Sequence, residues 1–330
     1  MQFRQLYRRE FITLIGGAVI AGPLAARAQQ IAMPVVGYIP ASDRPERLAL
    51  FKSGLAENGF VEGRNVIVEP RWAEGRYDRF PELVADLVRK RVAVIAVPGS
   101  QSAAIAAKAA TESIPIVFAV AEDPVKLGLV ASLSQPGGNA TGINFFTEEV
   151  VAKRLALLRE FVPGARRVAA LLNPSDRGQT ETTERQLKVA AQELSLEIKL
   201  LHASNRQEID AAFTALVQER PDALFVGPDG YYNSRRVQFA ILAALRAIPA
   251  SFAVRDYVEV GGLMSYGTNV GDAYRQTGVY AGLILKGRRP ADLPVLQSTS
   301  FELAINLNTA RALGLHVPDK MLVLATEVID

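Results

Sequence analysis

The seven residues Ile114-Pro-Ile-Val-Phe-Ala-Val120 return as Ile248-Pro-Ala-Ser-Phe-Ala-Val254, five of seven identical. Context lifts the match above coincidence. Each copy follows an apolar strand (Val92–Val97; Ala223–Val226), a polar break (Pro98-Gly-Ser-Gln101; Gly227-Pro-Asp-Gly230) and an Ala-rich helical stretch. Each copy is then followed by acidic residues, Glu122-Asp123 and Asp256. A β-turn-α-β unit that repeats in this way predicts two similar α/β lobes presenting the same loops at the same sheet edge. Two lobes facing one another enclose a cleft, and the cleft is where function is expected.

The first residues read as an export signal over 1–28. Arg4, Arg8 and Arg9 form a positive segment, Phe11–Gly22 is apolar, and Ala26-Arg27-Ala28 fits a cleavage point before Gln29. The apolar run is shorter than the roughly 20 residues a membrane span needs. Arg8-Arg9-Glu10-Phe11-Ile12 fits the twin-arginine pattern, with the general secretion route as the alternative. Either route predicts a periplasmic product. Residues 1–28 carry four Arg and one Glu, so their removal leaves 33 basic and 33 acidic residues. No basic field then argues for nucleic acid. The chain has no cysteine, so neither disulfides nor a lipid-modified cysteine are expected, and the exported protein is read as freely diffusing.

Beyond the signal, short apolar runs alternate with helical spacing. Val35–Pro40, Asn65–Trp72, Val92–Val97 and Ile116–Val120 read as strands, and Pro45–Asn58, Tyr77–Arg91 and Ser102–Thr111 as helices. That order predicts a parallel sheet with right-handed crossovers. Ala140–Phe145 is the expected crossing strand, after which the alternation restarts. The fold class is therefore two Rossmann-like, doubly wound α/β lobes joined by a hinge of about three segments. The expected boundaries are 33–141 plus about 261–290 for lobe 1, and 142–258 plus about 295–330 for lobe 2.

Catalytic motifs are absent. There are two histidines, His202 and His316, neither with a close acidic or seryl partner in sequence, and both are read as ordinary surface or loop residues. No nucleophile elbow, zinc-protease helix, phosphate loop or dinucleotide fingerprint occurs. No metal and no cofactor are expected.

Ligands of doubly wound sheets sit outside the carboxyl ends of the strands. The candidate ligand-binding residues at those ends are Tyr38, Ser42, Ser100, Gln101 and Asp123, with Asn144, Asn173, Asp229, Tyr231 and Asp256 from the second half. Hydroxyls, amides, carboxylates and tyrosines suit a small polar solute with an aromatic part. Ser100 also reads as a helix N-cap, and one residue can serve both ends. Asp123-Pro124 also reads as a turn start, and Tyr231-Tyr232 as lobe surface. Asp229 and Asp256 are expected to pair an ammonium, and Ser100 with its helix N-terminus to anchor a carboxylate.

Several segments together carry a family resemblance: Phe51-Lys-Ser-Gly-Leu-Ala-Glu-Asn-Gly-Phe60, Arg71-Trp-Ala-Glu-Gly-Arg-Tyr-Asp-Arg-Phe80, Gln135-Pro-Gly-Gly-Asn-Ala-Thr-Gly142 and Leu263-Met-Ser-Tyr-Gly267. The chain resembles the periplasmic solute-binding proteins of ABC importers, in the branch that binds tryptophan and other aromatic amino acids. The resemblance implies a type I periplasmic binding fold, a monomer, that closes on a small-molecule solute and docks on an inner-membrane permease. Family members commonly have Thr-Pro where this chain has Ser100-Gln101. A sensor feeding a membrane receptor, and an exported α/β enzyme, are the rival expectations.

Overall fold

A computed structural model describes residues 33–145, 148–298 and 300–330; the export signal expected at 1–28 lies outside them. The chain opens as β1 (Val35–Tyr38), α1 (Pro45–Glu57), β2 (Ile67–Pro70), α2 (Phe80–Arg89), β3 (Val94–Pro98), α3 (Gln101–Ala110), β4 (Ile116–Val120) and β5 (Ala140–Asn144). It continues through α4 (Glu148–Phe161), β6 (Arg167–Leu172), α5 (Arg177–Leu194), β7 (Glu197–His202), α6 (Arg206–Glu219) and β8 (Ala223–Val226). Then come α7 (Gly230–Ser234), α8 (Arg236–Leu245), β9 (Ala250–Phe252), α9 (Asp256–Glu259) and β10 (Met264–Thr268). The chain closes with α10 (Val270–Leu285), β11 (Leu296–Gln297), β12 (Phe301–Asn306), α11 (Leu307–Ala312), α12 (Asp319–Leu324) and β13 (Glu327–Ile329).

Among the described residues two sheets form, with orders β11-β5-β4-β3-β1-β2 and β13-β12-β10-β9-β8-β6-β7. Dropping the added strands leaves the same order in both, β5-β4-β3-β1-β2 against β10-β9-β8-β6-β7. The two copies of the repeated heptapeptide become β4 and β9, equivalent strands of the two sheets. Pairing is parallel except between β10 and β12.

The central strands β3, β4 and β8 are uninterrupted apolar runs because both of their faces are covered. Alternate residues of β3 point opposite ways: Val94 and Ala96 pack with Tyr38 and Phe51, while Ile95 and Val97 pack with Phe80 and Leu87. In β6, Val168 and Ala170 face Leu155 and Leu158 of α4, while Ala169 and Leu171 face Phe213 and Phe239. Helices α1 and α10 approach unusually closely. A Cβ on Gly54 would stand 1.9 Å from the Arg275 carbonyl oxygen, and one on Gly278 would stand 2.0 Å from that of Phe51.

The chain passes between lobes three times: from β5 to α4, from β10 to α10, and from β11 to β12. One expected boundary shifts. The strand near 263–266, assigned to lobe 1 as part of about 261–290, is β10 and pairs in the second sheet with β9 and β12. Only the helix after it, α10, crosses to the first lobe. Similarly β5, at the expected start of lobe 2, pairs along its whole length with β4. Each lobe thus covers its sheet with a helix that follows a strand of the other. No helix among the described residues is long and apolar enough to cross a membrane.

Candidate functional site

A cavity lies where the carboxyl ends of the two sheets face each other. The first lobe lines it with Ala41, Gly99, Ser100, Gln101 and Tyr274; the second contributes Arg154, Asp176, Gln179 and Asp229. Phe145, Val150, Val151, Val254 and Val270 supply an apolar wall.

Ser100 stands at the N-cap of α3, and its Oγ accepts the Ala103 N–H at 3.1 Å. Both readings of this residue meet, since it caps the helix and lines the cavity. Gln101 follows on the same turn, is buried, and its Oε1 has no partner among the described residues. In the second lobe Asp229 does for α7 what Ser100 does for α3, accepting the Tyr232 N–H at 2.8 Å. The Tyr77 hydroxyl, from the first lobe, donates to Asp229 Oδ2 at 2.5 Å, while the Tyr231 N–H donates to the Tyr77 oxygen at 3.2 Å. A short relay therefore ties the two rims together. Burial pushes the Asp229 carboxyl up from its ordinary value, against these donors. Asp176 lies nearby, accepts the Ser102 hydroxyl at 3.3 Å, and is pushed up to about 6 by burial first and by the Asp229 charge second.

The lobes meet closely around the cavity. A Cβ on Gly230 would sit 2.4 Å from the Ala41 carbonyl oxygen, and one on Gly178 would sit 2.4 Å from Gln101 Nε2. Beside the cavity, Arg44 and Arg47 of the first lobe both pair with Asp256 of the second. Burial works to raise the Asp256 carboxyl, but the charges of Arg47 and Arg44 hold it below its usual range.

Of the ten residues expected to touch ligand, three line the cavity: Ser100, Gln101 and Asp229. Ser42 and Asn173 stand just behind, Ser42 against Tyr274 and Asn173 against Asp229. The other five lie elsewhere. Tyr38 is fully buried in the first-lobe core, its ring 4.9 Å from Phe51 and 6.2 Å from Trp72. Asp123 accepts the Val125 N–H at 2.8 Å, which makes it a turn residue. The Asn144 amide donates to the carbonyls of Val120 and Glu122, closing the end of the sheet. Tyr231 packs its ring against Gly75 across the lobe seam, with Arg235 stacked above it. The Asp256 carboxylate, expected to pair an ammonium, is taken by two arginines of the chain itself.

Sequence reasoning missed Tyr77, Tyr274 and Arg154. Arg154 had a signal: it falls on the buried stripe Val150-Val151-Leu155-Leu158 of α4, where a charge is out of place. Tyr77 and Tyr274 had none, because each lies in an ordinary amphipathic run. His202 pairs with Glu184 at 2.8 Å on the surface, far in sequence from any cavity residue. Among the described residues no group of His, Cys, Asp or Glu is arranged to hold a metal ion.

The family model for ABC transporter substrate binding protein matches residues 39–329. The tyrosine-binding protein of Clostridioides difficile is 26% identical over 269 residues, covering 81% of this chain and 76% of that protein. Among solved structures, an ABC domain from Streptococcus pneumoniae in complex with L-Trp superposes with a TM-score of 0.79 at 26% identity, covering 90% of this chain and 99% of that one. A conserved domain protein from Vibrio cholerae gives a TM-score of 0.80 at the same identity and coverage. A ligand-free, open substrate-binding protein from Clostridium difficile, again 26% identical with the same coverage, scores 0.62. The higher score with the L-Trp complex accords with rims that touch here. A leucine-binding protein from Thermotoga maritima, at 15% identity and a TM-score of 0.55, shares the fold. With a two-lobed fold, a cavity between the lobes and a family match that runs almost the length of the described residues, this chain belongs to the ABC transporter substrate-binding protein family.

Proposed function

We propose that the chain is the exported solute-binding component of an ABC importer. It captures a small organic solute with an aromatic or other apolar body between its lobes and delivers it to a membrane permease. The lobes are 34–144 with 270–297, and 148–268 with 301–330. The observation that carries this reading is a cavity walled by both rims, apolar on one side and polar on the other. A solute touching both rims favours the closed arrangement by its greater affinity for it. The relatives' ligands, tyrosine by name and L-Trp by complex, support an aromatic body.

Thermal unfolding in the presence of aromatic amino acids, aromatic acids and nucleobase-like solutes tests this. A true ligand at 100 times its dissociation constant adds about 2.7 kcal/mol of stability, and small-angle scattering reports compaction with the same solute. If no solute moves either measurement, solute capture is wrong. For export, Arg8→Lys with Arg9→Lys should leave the precursor in the cytoplasm if the twin-arginine route carries it; normal processing would assign it to general secretion.

A further inference from the structure

The second lobe brings into the cavity a cation, Arg154, that no carboxylate among the described residues neutralises. Arg154 is 1% exposed, on the apolar stripe of α4. Of its five N–H donors, one donates to the Val226 carbonyl at 2.7 Å, while Nε has no partner among the described residues. The guanidinium carbon lies 3.6 Å from the centre of the Phe225 ring. No carboxylate among the described residues pairs with it, although Asp256, Asp229 and Asp176 are all in or beside the same cleft. Those acids are already supplied. Asp256 has Arg44 and Arg47, Asp229 has the Tyr77 hydroxyl and the Tyr232 N–H, and Asp176 has Ser102 and Gln101. Burial pulls the Arg154 guanidinium down to about 9, which still leaves it charged at neutral pH. An ion taken out of water without a partner is costly, and a planar guanidinium matches a carboxylate in two parallel hydrogen bonds. The walls beside it, Val150, Val151, Phe145 and Val254, are apolar.

We propose that Arg154 anchors the anionic end of the solute, so that the cavity takes an organic carboxylate with an aromatic or aliphatic body and needs no cationic group on it. This rests on the cleft being the solute site. It moves the anion from the first-lobe helix N-terminus, where the sequence placed it, to the second lobe.

Calorimetric titration of the full mature chain with 3-phenylpropionate, its primary amide and L-phenylalanine tests the assignment. The acid is expected to bind, the amide about tenfold or more weaker, and L-phenylalanine no tighter than the acid, since a hydrogen bond between charged groups is stronger than one to a neutral amide. In Arg154→Gln the acid should fall to the level of the amide. Arg154→Met without solute should unfold at a higher temperature than the parent, because it removes an unpaired buried charge. A lower midpoint with acid affinity unchanged would mark Arg154 as structural and overturn the proposal. An amide binding as tightly as the acid would overturn it too, as would Arg154→Gln keeping its acid affinity. L-phenylalanine binding where the acid does not would overturn it while leaving solute capture intact. Binding by none of the three also overturns it, and capture itself falls only if the wider screen finds no solute that compacts the chain.

Discussion

At the end of β3 the first lobe turns through Pro98-Gly99 into Ser100, a neutral hydroxyl that caps α3. At the equivalent end of β8 the second lobe turns through Gly227-Pro228 into Asp229, a carboxylate that caps α7. The backbone task is the same, satisfying the free N–H groups of a helix start, and either acceptor performs it. The electrostatic result differs. The first rim offers Ser100, Gln101 and Tyr274, all neutral; the second carries Asp229, Asp176 and Arg154. One fold therefore sets a charged rim against a neutral one, and the two meet closely where Gly230 faces the Ala41 carbonyl and Gly178 faces the Gln101 amide. On the proposed capture of a solute, the charged rim would select what enters and the neutral rim would register closure.

The largest effect that can break this division is steric. In Gly230→Val a side chain replaces the hydrogen that lets α7 meet Ala41, so the rims cannot touch. Solute affinity should drop on the order of a hundredfold, about 2.8 kcal/mol, and scattering should stay at the extended value with solute present. Compaction as in the parent would show that this seam does not report closure. Next comes Asp256→Ala, which strands Arg47 beside the cleft and leaves Arg44 with Glu46 alone, without touching the cavity. Closure should weaken by about 1–3 kcal/mol, read as faster solute dissociation in stopped flow with the ranking of solutes unchanged. A changed ranking would place Asp256 on the solute.

Asp176 sharpens the comparison through pH. Its carboxyl lies near 6 when folded and at 3.8 as an ordinary aspartate, so the folded chain holds the proton more tightly. Its contribution to stability is therefore full below about pH 4 and lost as pH rises through about 6. Asp176→Asn should flatten that dependence by about 2–3 kcal/mol between pH 4 and 8, measured by thermal unfolding of both proteins. A parallel pair of pH curves would mean that the second rim is not under this charge strain. The smallest effect belongs to Asp123→Ala. It removes one turn hydrogen bond, to the Val125 N–H, so stability should fall by about 0.5–1 kcal/mol with affinity unchanged within about twofold. A tenfold loss of affinity would extend the first rim beyond the cavity described above.

The lobes were legible because their signals are local. Apolar runs, Gly/Pro breaks and the heptapeptide repeat each report on a few consecutive residues, and the strands follow them. The membership of β10 was not, since Leu263–Tyr266 has the same composition whichever sheet it joins; pairing with β9 and β12 decides it. The site divides along the same line. Ser100 and Asp229 open helices after strands, a sequence signature, and both reach the cavity. Tyr38 and Asn144 also sit at strand ends, but one ring turns into the core and one amide turns back on Val120. Strand position does not specify side-chain direction. Arg154 comes from the middle of a helix, where the strand-end rule does not look.

The exchange of α4 and α10 has a practical corollary. Because each lobe borrows a covering helix encoded beyond the other's strands, no single cut in the gene yields two self-sufficient pieces. A fragment ending after β5 would leave the β1–β5 layer bare where α10 and its Gly278 should nest against α1. Anyone turning this protein into a fluorescent solute reporter should therefore insert the fluorophore domain into a surface loop of the intact chain, not divide the chain into complementing halves.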